Sequence, residues 1–309
     1  MITRLVSLGN VIIDIRAEVP ELPERGADVL ASAAAVEVGG GFNLMAAAAR
    51  QGLEVAYGGA LGHGPFADLA RRAMQAEGIK LLLPDALDEQ RDTGFAVVLV
   101  DAGGERTFVT AVGAEAGITS QRLDYVEIRP RDALAISGYG LLHDANRRAI
   151  LERFPRLSPH TTVCYDPGPL GHTLSDEALE AVRRRVDWWS CNEREASLAT
   201  GCANPEEAAV ELLAGLPRGS VVVRLGRSGC LVAQRGSAVV HVPGASVGVV
   251  DTTGAGDAHL GAFIAGLAAG RDVEAAARRA NVVAARTVTR RGPATSPTEE
   301  ETDRFSAGC

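Results

Sequence analysis

Aromatic residues are scarce in this 309-residue chain: seven Phe, four Tyr and two Trp make up 4% of it. A β-sandwich cored by aromatic rings is therefore disfavoured. The Ala and Gly content within 46% apolar residues suits helices packed closely on a sheet. Basic charge is also short: a net charge of −8 offers no field for a phosphodiester backbone, so nucleic acid is not an expected partner. The local runs Arg183-Arg184-Arg185 and Arg290-Arg291 read as solvated faces. The cysteines, Cys164, Cys191, Cys202, Cys230 and Cys309, are odd in number and lack a CxxC pair. Neither a disulfide framework nor a zinc site is expected from them, and a reducing cytoplasm fits. No apolar run approaches a membrane span, and the N-terminal one is too short for a signal peptide, with Asp14 interrupting it. Three catalytic signatures are absent too: the GxxxxGK[ST] P-loop, the GxSxG elbow and the HExxH helix.

What is present is a regular alternation. No repeat or low-complexity linker divides residues 1–309, so one domain is expected. Residues 5–13 read as one buried opening strand. Residues 16–38, with Pro20, Pro23 and Gly26, read as short, partly exposed strands and turns. Helical patterns follow at 43–51, stopped by Gly52, and at 66–77, stopped by Gly78. Residues 95–100 and 106–110 flank Asp101-Ala102-Gly103-Gly104 as a hairpin. Beyond it, strands near 133–137, 162–166, 187–190, 220–225 and 230–233 interleave with helices at 144–153, 175–185, 193–200 and 205–214. That order implies an α/β fold whose mostly parallel sheet is covered on both faces. The early hairpins stand outside the alternation and suggest a small β-sheet lid, about 14–38 and 93–112.

Residues 247–267 read as a strand, a glycine turn and a helix with Leu260, Phe263, Ile264 and Leu267 on one face. The turn is Asp251-Thr252-Thr253-Gly254-Ala255-Gly256-Asp257. Its glycines let backbone N–H groups converge where a helix dipole favours an anion. Asp257 at that spot either caps the helix or accepts a proton from an attacking hydroxyl.

The whole string resembles the second signature of the ribokinase-like (PfkB) carbohydrate and nucleoside kinases. The resemblance implies a ribokinase-like three-layer αβα sandwich, with Asp257 as general base and the amides of Gly254, Ala255 and Gly256 as an anion hole. Gly39-Gly40-Gly41-Phe42-Asn43 is similar to the family's first, glycine-rich signature, although Val38, Gly64 and Ala67 depart from the usual pattern. Bare glycine backbone admits a hydroxylated substrate, and Asn43 both donates and accepts. Phe42 either stacks on a base or packs. Asn10 and Asp14 stand where family members hold sugar hydroxyls, with a strand-end Asp in a turn as the lesser alternative. Asn192-Glu193-Arg194-Glu195 matches the family's Asn-x-x-Glu, which implies that Asn192 approaches nucleotide phosphates and Glu195 helps to place Mg²⁺ through water. Plain dipole compensation by Glu195 is the alternative. Arg224 and Gly226 fall in a segment that touches the nucleotide in relatives, with Arg224 where Thr is frequent, and Asn281 matches a residue near adenine. Asp251, Thr253, Gly292 and Ser296 correspond to a site for an activating monovalent cation such as K⁺. His259 replaces an aromatic residue and reads as packing.

Taken in order from Asn10 to Ser296, these matches span nearly the whole chain and imply Mg²⁺- and ATP-dependent phosphoryl transfer to a sugar or nucleoside hydroxyl. The other class to weigh is a catalytically silent sugar- or nucleotide-binding regulator on the same scaffold. The pocket residues contain no Lys or Arg, which favours an unphosphorylated acceptor, whereas Arg16 and Arg106 in the lid could serve a sugar phosphate. Lid pairing in relatives implies a homodimer.

Overall fold

The computed structural model describes residues 1–83 and 90–307. Strand β1 (Arg4–Ser7) starts the main sheet, and the chain crosses at Leu8-Gly9-Asn10 into β2 (Val11–Glu18), which belongs to a different sheet. The single strand expected over 5–13 is thus two. Gly9 and Asn10 break it, and the apolar residues on either side serve separate layers. β3 (Ala33–Gly40) pairs with β2 along its full length, from Val11↔Gly40 to Glu18↔Ala33. Instead of the short strands expected in 16–38, two eight-residue strands run outward around a turn.

Helix α1 (Gly41–Arg50), β4 (Glu54–Tyr57), α2 (Pro65–Ala76) and β5 (Lys80–Leu81) follow, then the lid hairpin β6 (Phe95–Val100) and β7 (Arg106–Ala111). After the short α3 (Ser120–Leu123), the alternation runs β8 (Asp132–Ser137), α4 (Gly138–Leu142), α5 (Asp144–Arg153), β9 (Thr162–Asp166), α6 (Asp176–Arg185), β10 (Trp188–Asn192), α7 (Glu193–Thr200), α8 (Pro205–Ala214) and β11 (Ser220–Arg224). β12 (Cys230–Ala233) and β13 (Val240–Val242) extend the sheet. Helices α9 (Ala255–Ala268), α10 (Val273–Thr287) and α11 (Glu299–Ala307) close the chain.

The main sheet has nine strands in the order β13-β12-β11-β10-β9-β8-β1-β4-β5, parallel except for the two antiparallel pairings of β12. Successive residues of each strand feed opposite layers: Leu5 and Trp188 pack with α1, α9 and α10, whereas Val6 and Trp189 pack with α5, α6 and α8. This is the three-layer α/β arrangement. Small residues set the helix spacing, since a Cβ on Gly261 of α9 would run into the Leu44 carbonyl of α1. Two ring pairs pack edge-on, Trp188 of β10 with Phe263 of α9 at 4.8 Å on one face of the sheet and Tyr165 of β9 with Trp189 of β10 at 4.7 Å on the other.

The second sheet, β3-β2-β6-β7, is the expected lid. Its hairpin is clamped at the base by the buried Glu115 carboxylate, which accepts from Gly94 N (2.7 Å) and Gly113 N (2.8 Å). One expected strand is missing: residues 247–250 pair with no strand, and Val249 and Val250 are exposed. Their β-branched run satisfies the pattern, but only Val250 N, bonded to Val288 O, is tied down. Of the cysteines, Cys164, Cys191, Cys202 and Cys230 are free, and Cys309 lies outside the described residues. No helix among the described residues is long and apolar enough to cross a membrane.

Candidate active site

Strands β1, β8, β9, β10 and β11 are mutually parallel, so their C-terminal ends open on one side of the sheet, where α/β folds gather ligands. The turn before α9 lies against this end. Gly254 has φ of 72°, a left-handed conformation, and a side chain there would also press on Asn43, with Cβ 3.2 Å from Cγ. Ala255 N bonds back to Thr252 O at 3.3 Å. The amides of Gly256 and Asp257, in the first turn of α9, have no intrahelical acceptor and face outward with the positive end of the dipole.

Asp257 sits partly exposed at this helix start. Asn43 Nδ2 donates to its Oδ2 at 3.1 Å, and Asn43 Oδ1 accepts from Ala294 N at 2.9 Å. Burial, then the negative charge of Asp166, lifts the Asp257 carboxyl from 3.8 to about 7; Asn43 and Arg224 act in the other direction. A carboxylate poised near neutrality beside a set of convergent amides is suited to accept a proton where negative charge is being held.

Arg224, at the end of β11, turns inward rather than toward solvent. Its Nη1 donates to Asp166 Oδ2 (2.9 Å) and Ser190 Oγ (2.6 Å), and Nη2 reaches Glu195 Oε2 at 3.5 Å. The guanidinium also lies over the glycine turn, because a Cβ on Gly256 would be 3.3 Å from Nη2. Asn192 and Glu195 form a reciprocal capping box at the start of α7, each bonded to the other's backbone N–H at 2.8 Å. That satisfies Glu195 Oε2 and leaves Oε1 without a hydrogen bond in a largely buried side chain. Burial and the nearby Asp166 raise the Glu195 carboxyl above its usual range. A carboxylate short of partners, with a second one beside it, fits Mg²⁺, which needs one or two such ligands besides phosphate and water.

On the lid side, Asp14 covers the glycine cluster: a Cβ on Gly39 would collide with its carboxylate. Gly41 N bonds to Asn10 O at 2.7 Å, and Gly40 packs on the same carbonyl. Burial, then Glu37, lifts the Asp14 carboxyl to about 6. Asn10, Asp14 and Gly39–41 are therefore brought together, and Asn43 joins them to Asp257. Phe42 is buried in the core and packs.

Among the described residues, Asn281 and Gly226 share no hydrogen bond with this cluster. Asn281 is buried, donating to Val242 O (3.0 Å) and Pro243 O (3.1 Å) and meeting His259 Nε2 at 3.1 Å. His259 is buried as expected, and burial pushes its pKa down to about 3, so it stays neutral. Gly226 takes a left-handed φ of 56° in the loop after β11.

Two of the residues anticipated for a monovalent cation, Asp251 and Ser296, are engaged by side chains of this chain. Asp251 Oδ1 accepts from Arg106 Nη2 (2.5 Å), Thr253 N (2.9 Å) and Thr253 Oγ1 (2.7 Å), and Oδ2 from Gly292 N (3.0 Å). A carboxylate offers about four lone-pair positions, so little is left for an ion. The Ser296 carbonyl and hydroxyl face Arg50 Nη1 at 2.8 and 3.5 Å, and Ala294 O faces the same atom at 2.6 Å.

Four residues at the site escape the motif reading. Asp166 ends β9. Tyr139 lies against Gly168, its phenol shifted up by burial and by Glu195, Asp257 and Asp166. Asn146 Nδ2 reaches Asn10 Oδ1 at 3.4 Å. Asp92 accepts from Phe66 N (2.9 Å) and Ala67 N (2.8 Å), capping α2 where Gly64 and Ala67 depart from the family pattern. For Asp166 and Tyr139 a signal existed: polar residues at or just past the C-terminal ends of consecutive parallel strands.

A lidded three-layer α/β scaffold with this turn at the carboxyl end of its sheet defines a phosphotransferase of the ribokinase-like class, with an alcohol as acceptor. A family model described as pfkB family carbohydrate kinase matches residues 2–300, and the chain belongs to that family. It is 31% identical to an uncharacterized sugar kinase, YegV, of Escherichia coli K12, over 95% of this chain and 91% of that protein. It is also 31% identical to an ATP-dependent ribose-1-phosphate kinase of Halopiger xanaduensis, over 98% and 97%. A ribokinase from Thermotoga maritima superposes with a TM-score of 0.82 at 25% identity, covering 99% of this chain and all of that one (100%).

Proposed function

We propose that this kinase moves the γ-phosphoryl group of ATP to a hydroxyl of an unphosphorylated sugar or nucleoside, with Asp257 as the base. The observation that carries this reading is the hydrogen bond from Asn43 to Asp257, which ties the acceptor-side glycine cluster to the anion-hole turn. Asn10, Asp14 and the backbone of Gly39–41 hold acceptor hydroxyls. Asp257 takes the proton of the attacking hydroxyl, its oxygen bonds to the γ-phosphorus, and the bond to ADP breaks. The amides of residues 254–257 hold charge on the transferring group, and Arg224, Asn192 and the Gly226 loop line the nucleotide side. Glu195 and Asp166 would hold Mg²⁺, which neutralises phosphate charge when bound.

The acceptor class rests on the lid arginines. Arg16 pairs with Glu18 at 2.7 Å and lies 3.6 Å from Glu37, and Arg106 pairs with Asp251. Both are matched by carboxylates of this chain, which favours a neutral acceptor over a sugar phosphate. The outer lid carries exposed Val36, Phe108 and Val109, a surface suited to a second copy of the chain.

ADP release from ATP and Mg²⁺ across pentoses, hexoses, nucleosides and sugar phosphates tests the reading. Turnover with a neutral acceptor, abolished in Asp257→Asn, is expected. Ligand-induced stabilisation without turnover would favour a silent binding protein, and turnover restricted to sugar phosphates would reverse the acceptor assignment.

A further inference from the structure

The lid reaches the catalytic turn through one side chain. Arg106 opens β7, and its guanidinium spans 145 residues of sequence to Asp251 at 2.5 Å while Nη1 donates to Thr252 Oγ1 at 3.2 Å. Both partners belong to the turn whose amides form the proposed anion hole. Asp251 is largely buried and in turn holds Thr253 N and Gly292 N, so the turn and the loop after α10 are both organised around this one carboxylate. A buried carboxylate needs a counter-charge. Here that charge comes from the chain itself, through the Arg106 guanidinium.

We propose that Arg106 is a lid-borne positioning residue that takes the place of a monovalent cation at Asp251, so that the anion-hole turn is ordered when the lid is closed and needs no K⁺. The inference rests on the proposed catalytic turn, but its claim about cations stands separately. While the lid is open the turn lacks its counter-charge, and lid closure supplies it. A guanidinium gives two directed hydrogen bonds to the turn, which a spherical ion would not.

The test compares wild type, Arg106→Ala and Arg106→Lys in K⁺, Na⁺ and choline chlorides at constant ionic strength. Turnover with a panel acceptor and melting temperature are read in each salt. Wild type is expected to vary less than about twofold among the salts and to show no K⁺-specific rise in melting temperature. Arg106→Ala is expected to lose at least tenfold in choline, to recover most of that in K⁺ but not in Na⁺, and to gain a K⁺-specific thermal shift. Arg106→Lys, a point charge at the same place, is expected to fall between, without K⁺ response. A K⁺ requirement in wild type overturns the proposal. So does an Arg106→Ala variant that is unimpaired in choline, or impaired and deaf to K⁺. If no acceptor supports turnover in wild type, the functional reading fails, while the melting-temperature comparison still decides the cation claim.

Discussion

Replacing Asp257 by Asn should abolish activity and stabilise the protein, in a manner that depends on pH. Asn keeps the shape and still accepts from Asn43, but it cannot take a proton. Losing a positioned base costs roughly a hundred- to ten-thousand-fold in turnover. The stability side follows from the Asp257 carboxyl holding its proton up to about pH 7 in the fold instead of 3.8. Below pH 3.8 it is protonated folded and unfolded alike, and nothing is gained or lost. As pH rises, the unfolded chain releases its proton first, so stability drains away until about pH 7 and is then fully lost. At about 1.4 kcal/mol per tenfold, the whole difference approaches ~4 kcal/mol. Solvent at the partly exposed carboxylate reduces this by roughly half. The remaining ~2 kcal/mol, set against an unfolding entropy of about 0.6 kcal/mol per degree for a chain of this size, is worth about 3 °C. Differential scanning calorimetry should therefore show Asp257→Asn melting higher than wild type at pH 8 and level with it near pH 4. A variant that melts lower at pH 8, or that keeps near-normal turnover, would refute the reasoning.

The wild-type kcat/KM for the acceptor should fall tenfold for each pH unit below about 7, the value to which Asp257 is raised; an acid limb near 4 would mean that burial does not raise the base. Arg224→Thr removes a cation that holds the Asp257 pKa down, so the same limb should move to higher pH, read from the pH profile of kcat/KM. Gly39→Ala forces Asp14 off its position and should raise KM for the acceptor about tenfold, with the KM for ATP unchanged. Asn281→Ala strands the carbonyls of Val242 and Pro243 and should cost about 2 kcal/mol in urea unfolding; a raised KM for ATP with stability intact would instead put Asn281 at the nucleotide.

Much of the architecture could be read from the chain because its periodicities are local. The strand and helix alternation from 133 to 233 and the turn from 251 to 257 are encoded in contiguous residues, and so is the capping box of Asn192 and Glu195. What escaped depends on distant partners. The largely apolar stretch across 5–13 hides the exchange of sheets at Gly9 and Asn10, since apolar side chains on both sides of the break are buried. Val247 to Val250 carry β-branched residues yet find no neighbouring strand. Arg224 is visible as a departure from Thr, but its pairing with Asp166, 58 residues away, is a product of sheet order. Asp251 was a residue to notice, but its partner Arg106 comes from a lid strand 145 residues away that the turn's own sequence does not mention.

Asn43 ties an early part of the chain to two late ones. Its two hydrogen bonds reach Asp257 and Ala294, 214 and 251 residues further along. A chain leaving the ribosome can form β1 to α1 and the lid long before the base exists, and every truncation short of residue 294 leaves that junction unmade. Contacts of such separation are late and slow to close. Competence should therefore appear abruptly at the end of synthesis, and nascent chains should expose the bare acceptor half to chaperones for most of their time on the ribosome.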